Sequence, residues 1–435
     1  MVRTRHDAPH ARRRSAARKR RSAPGGAGGG GRIQARGLGN EYASGEKQRR
    51  GMRPQGRRTL ILGIAFALIV FVCMVIPTYL FQHSLTALTL SSFLDTCSNN
   101  LANLVGVFTG NPAAGEQRFM GVIVCAVSGA ALGMCGSAYQ GAFNNPLAAP
   151  KTLGVMAGGA LGALIYVIFL QGVGPELPFT GSYTAAQFTA WERSLGPLGW
   201  LWYEYGKCLC SLVGCFVVVG IVVALTAALG KGKLTNVIVI IFGQVFAATV
   251  TALISFARYY YTTNGGIDLI DELKAIENYT MVYSYGYEDL GIIVAPLLVC
   301  MVVVLCMSRR LTLLSFGDDE ANSMGINVNA TRYGMIAICT LMTAVAISFC
   351  GHVSYLGFIS AQLARRLVGP DFRYLLPASL FVGGGFLTII QWICQSGLPF
   401  TDPYAAGTVC SVLGATLFIF VVMAQRGKED SGAWR

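Results

Sequence analysis

GAALGMCGSAYQGAFNNPLAAPKTLGVMAGGALGA, residues 129–163, is the stretch on which the reading of this chain turns. Gly129, Gly133 and Gly136 recur at helical spacing in its first half, and Gly154, Gly158, Gly159 and Gly162 do much the same in its second. Small residues three and four apart let helix backbones approach closely, and in a bilayer that packing replaces the missing hydrophobic attraction between helices. The expectation is close packing within one bundle. A tight bundle of many helices suits a gated pore better than a single-span receptor.

The composition around this stretch agrees. Of 435 residues, 53% are hydrophobic and 13% charged, about half the charged share of an ordinary soluble domain. The net charge is +13, but residues 1–58 hold 17 Lys/Arg against 3 Asp/Glu, and the remainder holds 17 against 18. Nucleic-acid binding needs positive charge spread over a folded face, so it is excluded as the meaning of the basic pI. The first apolar run follows 58 mostly polar residues, with no small-residue cleavage site after it, so it reads as a retained anchor. Runs such as Arg12–Arg14 and Arg18–Arg21, then the glycine-rich 25–31, cannot build a core. Residues 1–58 are expected to be a disordered basic cytoplasmic tail, able to lie on anionic membrane lipid.

Apolar tracts of the roughly 20 residues a bilayer requires run at 59–81, 119–143, 152–171, 207–229, 237–259, 290–308, 333–350, 375–394 and 404–424. A shorter stretch, 353–368, is cut by Gly357 and carries Arg365 and Arg366 near its end. It reads as a short or half-inserted helix, of a kind tolerated at membrane depth only against protein or a watery cavity. The expectation is an all-α polytopic membrane protein of about ten transmembrane helices, one short, over residues 59–425, with a cytoplasmic tail at 426–435. Thirteen cysteines, most of them inside apolar tracts (Cys73, Cys125, Cys135, Cys215, Cys300, Cys306, Cys339 and Cys410 among them) and none in a CxxC pair, read as small packing residues rather than a disulfide framework.

Lys and Arg concentrate on cytoplasmic loops. Alternate loops here carry Lys231 and Lys233; Arg309, Arg310 and Arg332; Arg365, Arg366 and Arg373; then Arg426 and Lys428. The opposite side is acidic, with Asp268, Asp271, Glu272, Glu277, Glu288 and Asp289 between Arg258 and Leu290. Both termini are therefore expected in the cytoplasm. One internal echo pairs LGMCGSAYQGAF (132–143) with ISFCGHVSYLGF (347–358). In this topology the copies run in opposite directions, as in the inverted repeats that bracket a pathway near the midplane of transporters.

The spans contain almost no ionisable group, whereas a proton-coupled carrier needs Asp, Glu or His there. His352, at a helix end, reads as polar lining. GKGKL (230–234), the nearest approach to a P-loop, has Ala227 where its first glycine belongs and Leu234 in place of the hydroxyl. ATP hydrolysis then falls to a separate subunit, for which SFGDDEANSMGINV (315–328) offers a polar helical docking segment in the 309–331 loop. The same Asp318, Asp319 and Glu320 could instead hold Mg²⁺ in a membrane-embedded enzyme, but consecutive residues splay by about 100° on a helix. A Ser137/His352 proteolytic dyad has only a Gly-Ser pair behind it. No catalytic residue, metal or cofactor is expected. An ATP-independent secondary carrier and a membrane-embedded enzyme stand as alternatives to a transporter subunit.

Three segments, in order, resemble the FecCD family of ABC-transporter permeases. In residues 129–163 the matching positions are Gly136, Gln140, Asn145, Pro146, Leu147, Gly154 and Gly158; the loop Gly317, Asp318, Asp319, Glu320, Ala321 through Gly325 is similar to the family's coupling loop; and residues 351–379 resemble its glycine turn, short helix and Leu-Leu-Pro segment. Ala361 and Gln362 stand where the family usually shows Pro-His. The resemblance implies the architecture of a type II ABC importer permease: a homodimer, or a pair with a closely related permease, in the cell membrane. Cytoplasmic ABC ATPases would dock on 317–325, and an extracytoplasmic substrate-binding protein would deliver cargo. The cargo would be iron–siderophore complexes first, then haem or cobalamin. It also implies a pathway lined by the fifth helix, with Gln244, Thr249, Thr251 and Ser255 as a polar stripe, and by the segment holding Gly351, Ser354 and Gly357.

Overall fold

Proline is favoured in the first turn of a helix, where its missing N–H leaves nothing unpaired, and the first helix, α1 (Pro54–Val75), begins on one. It starts five residues ahead of the apolar tract that announced it. The computed structural model describes residues 54–76, 94–102, 116–170, 185–229, 236–263, 287–394, 407–416 and 419. The tail through residue 53, most of the acidic loop before 287 and the 426–435 tail lie outside these residues.

From α1 the chain continues through α2 (Glu116–Ala142), α3 (Val155–Ile165, extended by a π-helical turn Tyr166–Leu170), α4 (Ala185–Ser194), α5 (Gly196–Leu229) and α6 (Asn236–Thr263). Then come α7 (Tyr287–Cys306), α8 (Ser308–Leu314), α9 (Asp318–Ser323), α10 (Val328–Cys350), α11 (Leu356–Val368) and α12 (Phe372–Cys394). A short apolar helix, α13 (Gly407–Thr416), follows. Among the described residues every regular element is helical and no strand occurs. Six of these helices are long and apolar enough to cross a bilayer, and α7 with α8, bent by 50° between them, makes a seventh where the pair is counted as one span. The expected ten is thus approximate: the 353–368 stretch is the 13-residue α11, and the third span is shortened because an irregular turn precedes it.

Packing grades the helices from centre to rim. In α2, 83% of the apolar window is buried, against 6% in α1. α2 runs against α12, α11, α10 and α7, while α3 lies along α5 and α6. The glycine steps serve these crossings. Gly129 and Gly133 face Gly383 and Ser379 of α12, and Gly158 and Gly162 face Gly214 and Cys210 of α5. Every named tract cysteine is a free thiol, and all but Cys306 are buried.

The long-helix, break, short-helix pattern occurs twice, as α2–α3 and as α10–α11. The sequence echo was offset from it: residues 132–142 lie wholly on α2, whereas 347–358 cross the end of α10. Similar letters mark the approach to a break in one copy and the break itself in the other.

α10 begins on an N-cap, the Asn327 side chain accepting the Ala330 N–H at 3.0 Å. Asn327→Ala leaves that donor without its side-chain partner and is expected to cost about 1 kcal/mol, read as a lowered melting temperature in detergent with helix content retained.

Candidate functional site

Backbone that leaves a helix inside a membrane must pair its polar groups locally, and both breaks do so. In the first, residues 143–154, the Asn145 carboxamide oxygen accepts the Leu147 N–H at 2.9 Å. The Thr152 hydroxyl accepts the Ala149 N–H at 2.9 Å and donates to the Ala149 carbonyl at 2.8 Å. The turn passes through Pro146 to exposed Leu147, and Gly154, at φ 79°, restarts the helix. In the second break the Gly351 N–H closes α10 on the Ile347 carbonyl at 2.8 Å, and Tyr355, at φ 63°, opens α11.

The two breaks meet. His352 Nε2–H donates to the Met156 carbonyl at 2.7 Å, and the Lys151 ammonium sits 4.4 Å from the centre of the Tyr355 ring. Two cavities flank this junction. The first, about 540 Å³, is lined among others by Leu132, Leu147, Lys151, Gln244, Tyr355 and Gly357. The second, about 280 Å³, is lined among others by Lys151, Ala160, Thr251, His352 and Ser354. Lys151 and Met156 wall both.

Of the polar stripe expected on α6, Gln244 and Thr251 face the cavities. Thr249 lies five residues after Gln244, turned from it by about 140° at 100° per residue, and its hydroxyl donates to its own helix at Val245 O, 2.9 Å. Ser255 stands one turn past Thr251, exposed, and lines neither cavity. Gly357 lines the first cavity and Ser354 the second, while Gly351 serves as a cap.

The remaining motif residues hold helices to one another. Gly136 packs directly on the Gly357 backbone. The Gln140 carboxamide oxygen, on buried Gln140, accepts from Gln362 Nε2 at 3.4 Å and from the Arg365 guanidinium at 3.2 Å, tying α2 to α11. The buried Ser137 hydroxyl has no hydrogen-bond partner among the described residues, so Ser137 and His352 form no dyad.

The coupling segment is built on a small core of Leu314, Ala321 and Val328. Gly317 enters α9 at φ 121°, where a side chain would be strained. Asp318, Asp319 and Glu320 fill the first turn of α9, where negative charge suits the helix N-terminus. They do not act alike. Asp318 turns inward onto Arg332, whose guanidinium donates two bonds to its carboxylate at 2.7 and 2.9 Å. Arg332 is 4% exposed, and its Nε–H donates to the Ala142 carbonyl, the last of α2, at 2.8 Å. Asp319 and Glu320 stay on the surface beside Phe316 and Met324, which are 65% and 46% exposed, and Gly325.

A multi-pass helical body with broken helices around central cavities is the framework of a membrane transport subunit. The chain belongs to the FecCD transport family, whose model matches residues 60–424, and is an ABC importer permease, a transport subunit rather than an enzyme. It is 26% identical over 316 residues to the cobalamin import system permease protein of Halobacterium salinarum, covering 72% of this chain and 74% of that one. It is 25% identical over 308 residues to the iron(3+)-hydroxamate import system permease protein FhuG of Bacillus subtilis, covering 71% and 82%. Its fold matches an inward-facing structure of a metal-chelate type ABC transporter at TM-score 0.61 and 20% identity, covering 85% of this chain and 99% of that one.

Sequence reasoning missed Lys151, Tyr355 and Arg332 as site residues. The first had a signal: the one charged side chain in the turn 143–154. Arg332 had been counted only as a loop charge.

Proposed function

We propose that this chain carries iron–siderophore complexes from an extracytoplasmic binding protein to the cytoplasm, as one of two permease subunits resting on cytoplasmic ABC ATPases. The observation that carries the reading is the junction of the two breaks: non-helical backbone, a cation and polar side chains meet beside two cavities between packed apolar helices. Irregular backbone at that depth belongs beside a pathway. ATP binding draws the ATPases together, and α8–α9, with exposed Phe316, Asp319, Glu320 and Met324, passes the motion on. Cargo then meets alternating access, driven by the difference in ATP affinity between the two states. Both termini lie in the cytoplasm, and α6, with Thr249 and Ser255 exposed, faces the second permease subunit. Cobalamin is the second reading, favoured by the Halobacterium relative.

Uptake into proteoliposomes tests this, with the permease, its ATPase and cargo-loaded binding protein outside and ATP inside. ATP-dependent accumulation of a labelled ferric siderophore is expected. Accumulation of cobalamin alone would move the cargo to the second reading, and uptake without ATP would overturn the mechanism.

A further inference from the structure

Lys151 is a cation without a counter-charge. Among the described residues no carboxylate pairs with its ammonium, which sits over the Tyr355 ring, 4.4 Å from its centre. Neither cavity it walls is lined by Asp or Glu, and their other polar side chains, Thr152, Gln244, Thr251, His352 and Ser354, are neutral or, for His352, already bonded to Met156 O. Packing does not call for this residue. Burial disfavours the charged form of a lysine, so a methionine would fit the same wall without that penalty.

The ring beneath the ammonium is itself held at a cost. Tyr355 adopts φ 63°, a backbone region that bulky residues rarely enter and that persists mainly where function requires it. The face of an aromatic ring attracts a cation without neutralising it. A carboxylate there would have cancelled the charge; a tyrosine parks it.

We infer that Lys151, seated on Tyr355, is a station for anionic cargo, and that the permease selects metal chelates bearing free carboxylates over neutral ones. Because Lys151 walls both cavities, an anionic group passing from one to the other keeps the same ammonium beside it. The first cavity, about 540 Å³, is of the size that holds organic ligands, which favours a chelate over a bare oxyanion. This inference rests on the cavities being the cargo path.

The test uses the full complex with its ATPase and binding protein, wild type against Lys151→Met, Lys151→Gln and Lys151→Arg. The probes are ferric citrate, which is anionic, and a ferric trihydroxamate without free carboxylates. Wild type is expected to prefer the anionic probe. The Met and Gln variants should lose at least ten-fold of its uptake with the melting temperature unchanged, and Arg should stay within three-fold of wild type. Equal uptake of ferric citrate by Lys151→Met and wild type, or a wild-type preference for the neutral probe, would overturn the inference and leave the permease reading standing. No ATP-driven uptake of either probe by an intact wild-type complex would instead remove the cargo path, and this inference with it.

Discussion

Gly136→Ala should prevent the membrane body from assembling normally, although it adds a single methyl group. A Cβ at this position would overlap the carbonyl of Gly357, and the next nearest atoms are also Gly357 backbone. A flexible side chain could swing away; a carbonyl at the first turn of α11 cannot move without taking the helix with it. Overpacking a filled interior costs about 1–3 kcal/mol, occasionally more, and a clash between two backbones belongs at the top of that range, about 3 kcal/mol. The same helix supplies the control. A Cβ on Gly121 meets nothing within 4 Å, and alanine is the better helix former by about 1 kcal/mol, so Gly121→Ala should be neutral or slightly stabilising. Melting temperature and yield of monodisperse protein in detergent compare the two. Identical behaviour of both variants would mean that α2 and α11 do not cross at Gly136.

Asp318→Lys and Glu320→Lys form the second pair, one residue type and one short helix but different physics. Removing a partner from a buried ion pair costs about 3–5 kcal/mol, because the survivor is left charged and unpaired. Asp318 is half exposed, at 49%, while its partner Arg332 is 5% exposed at the side chain. Solvent on the acid's side reduces the loss, as it does for exposed pairs; about 2 kcal/mol is expected, with the introduced lysine adding repulsion. Asp318→Lys should therefore lower the melting temperature of the isolated permease and uncouple ATP hydrolysis from uptake. Glu320→Lys lies on the surface, where substitutions stay within about 0.5 kcal/mol, and should uncouple while leaving the melting temperature alone. If both uncouple and neither destabilises, Asp318 is a docking residue only. If Glu320→Lys retains full coupling, the docking surface lies elsewhere.

The framework was legible in the sequence because bilayers leave few choices: apolar length gave the spans, and the spacing of Gly129, Gly133 and Gly136 gave a close crossing. Asn145, Pro146 and Leu147, singled out through the family resemblance, fall in the break between α2 and α3. Contacts between distant segments left no such trace. Nothing local in LAAPKTLG or HVSYLG states that Lys151 will rest on Tyr355, since cation and ring come together only when two breaks in different halves of the chain share one depth. On α6 the four polar residues do not share one face: Gln244 and Thr251 line cavities, whereas Thr249 points about 140° away from Gln244, an angle that composition alone does not display. Asp318 and Arg332 were both noticed, as docking acid and as loop charge. Their union required knowing that α9 folds back over the start of α10.

That union also has a mechanical meaning. The two-pronged grip of Arg332 on Asp318 fixes the plane of the guanidinium, and a single bond holds Ala142. Because Arg332 is itself part of α10, three elements meet at one guanidinium, and the start of α9, the start of α10 and the last turn of α2 are fastened at a single rivet.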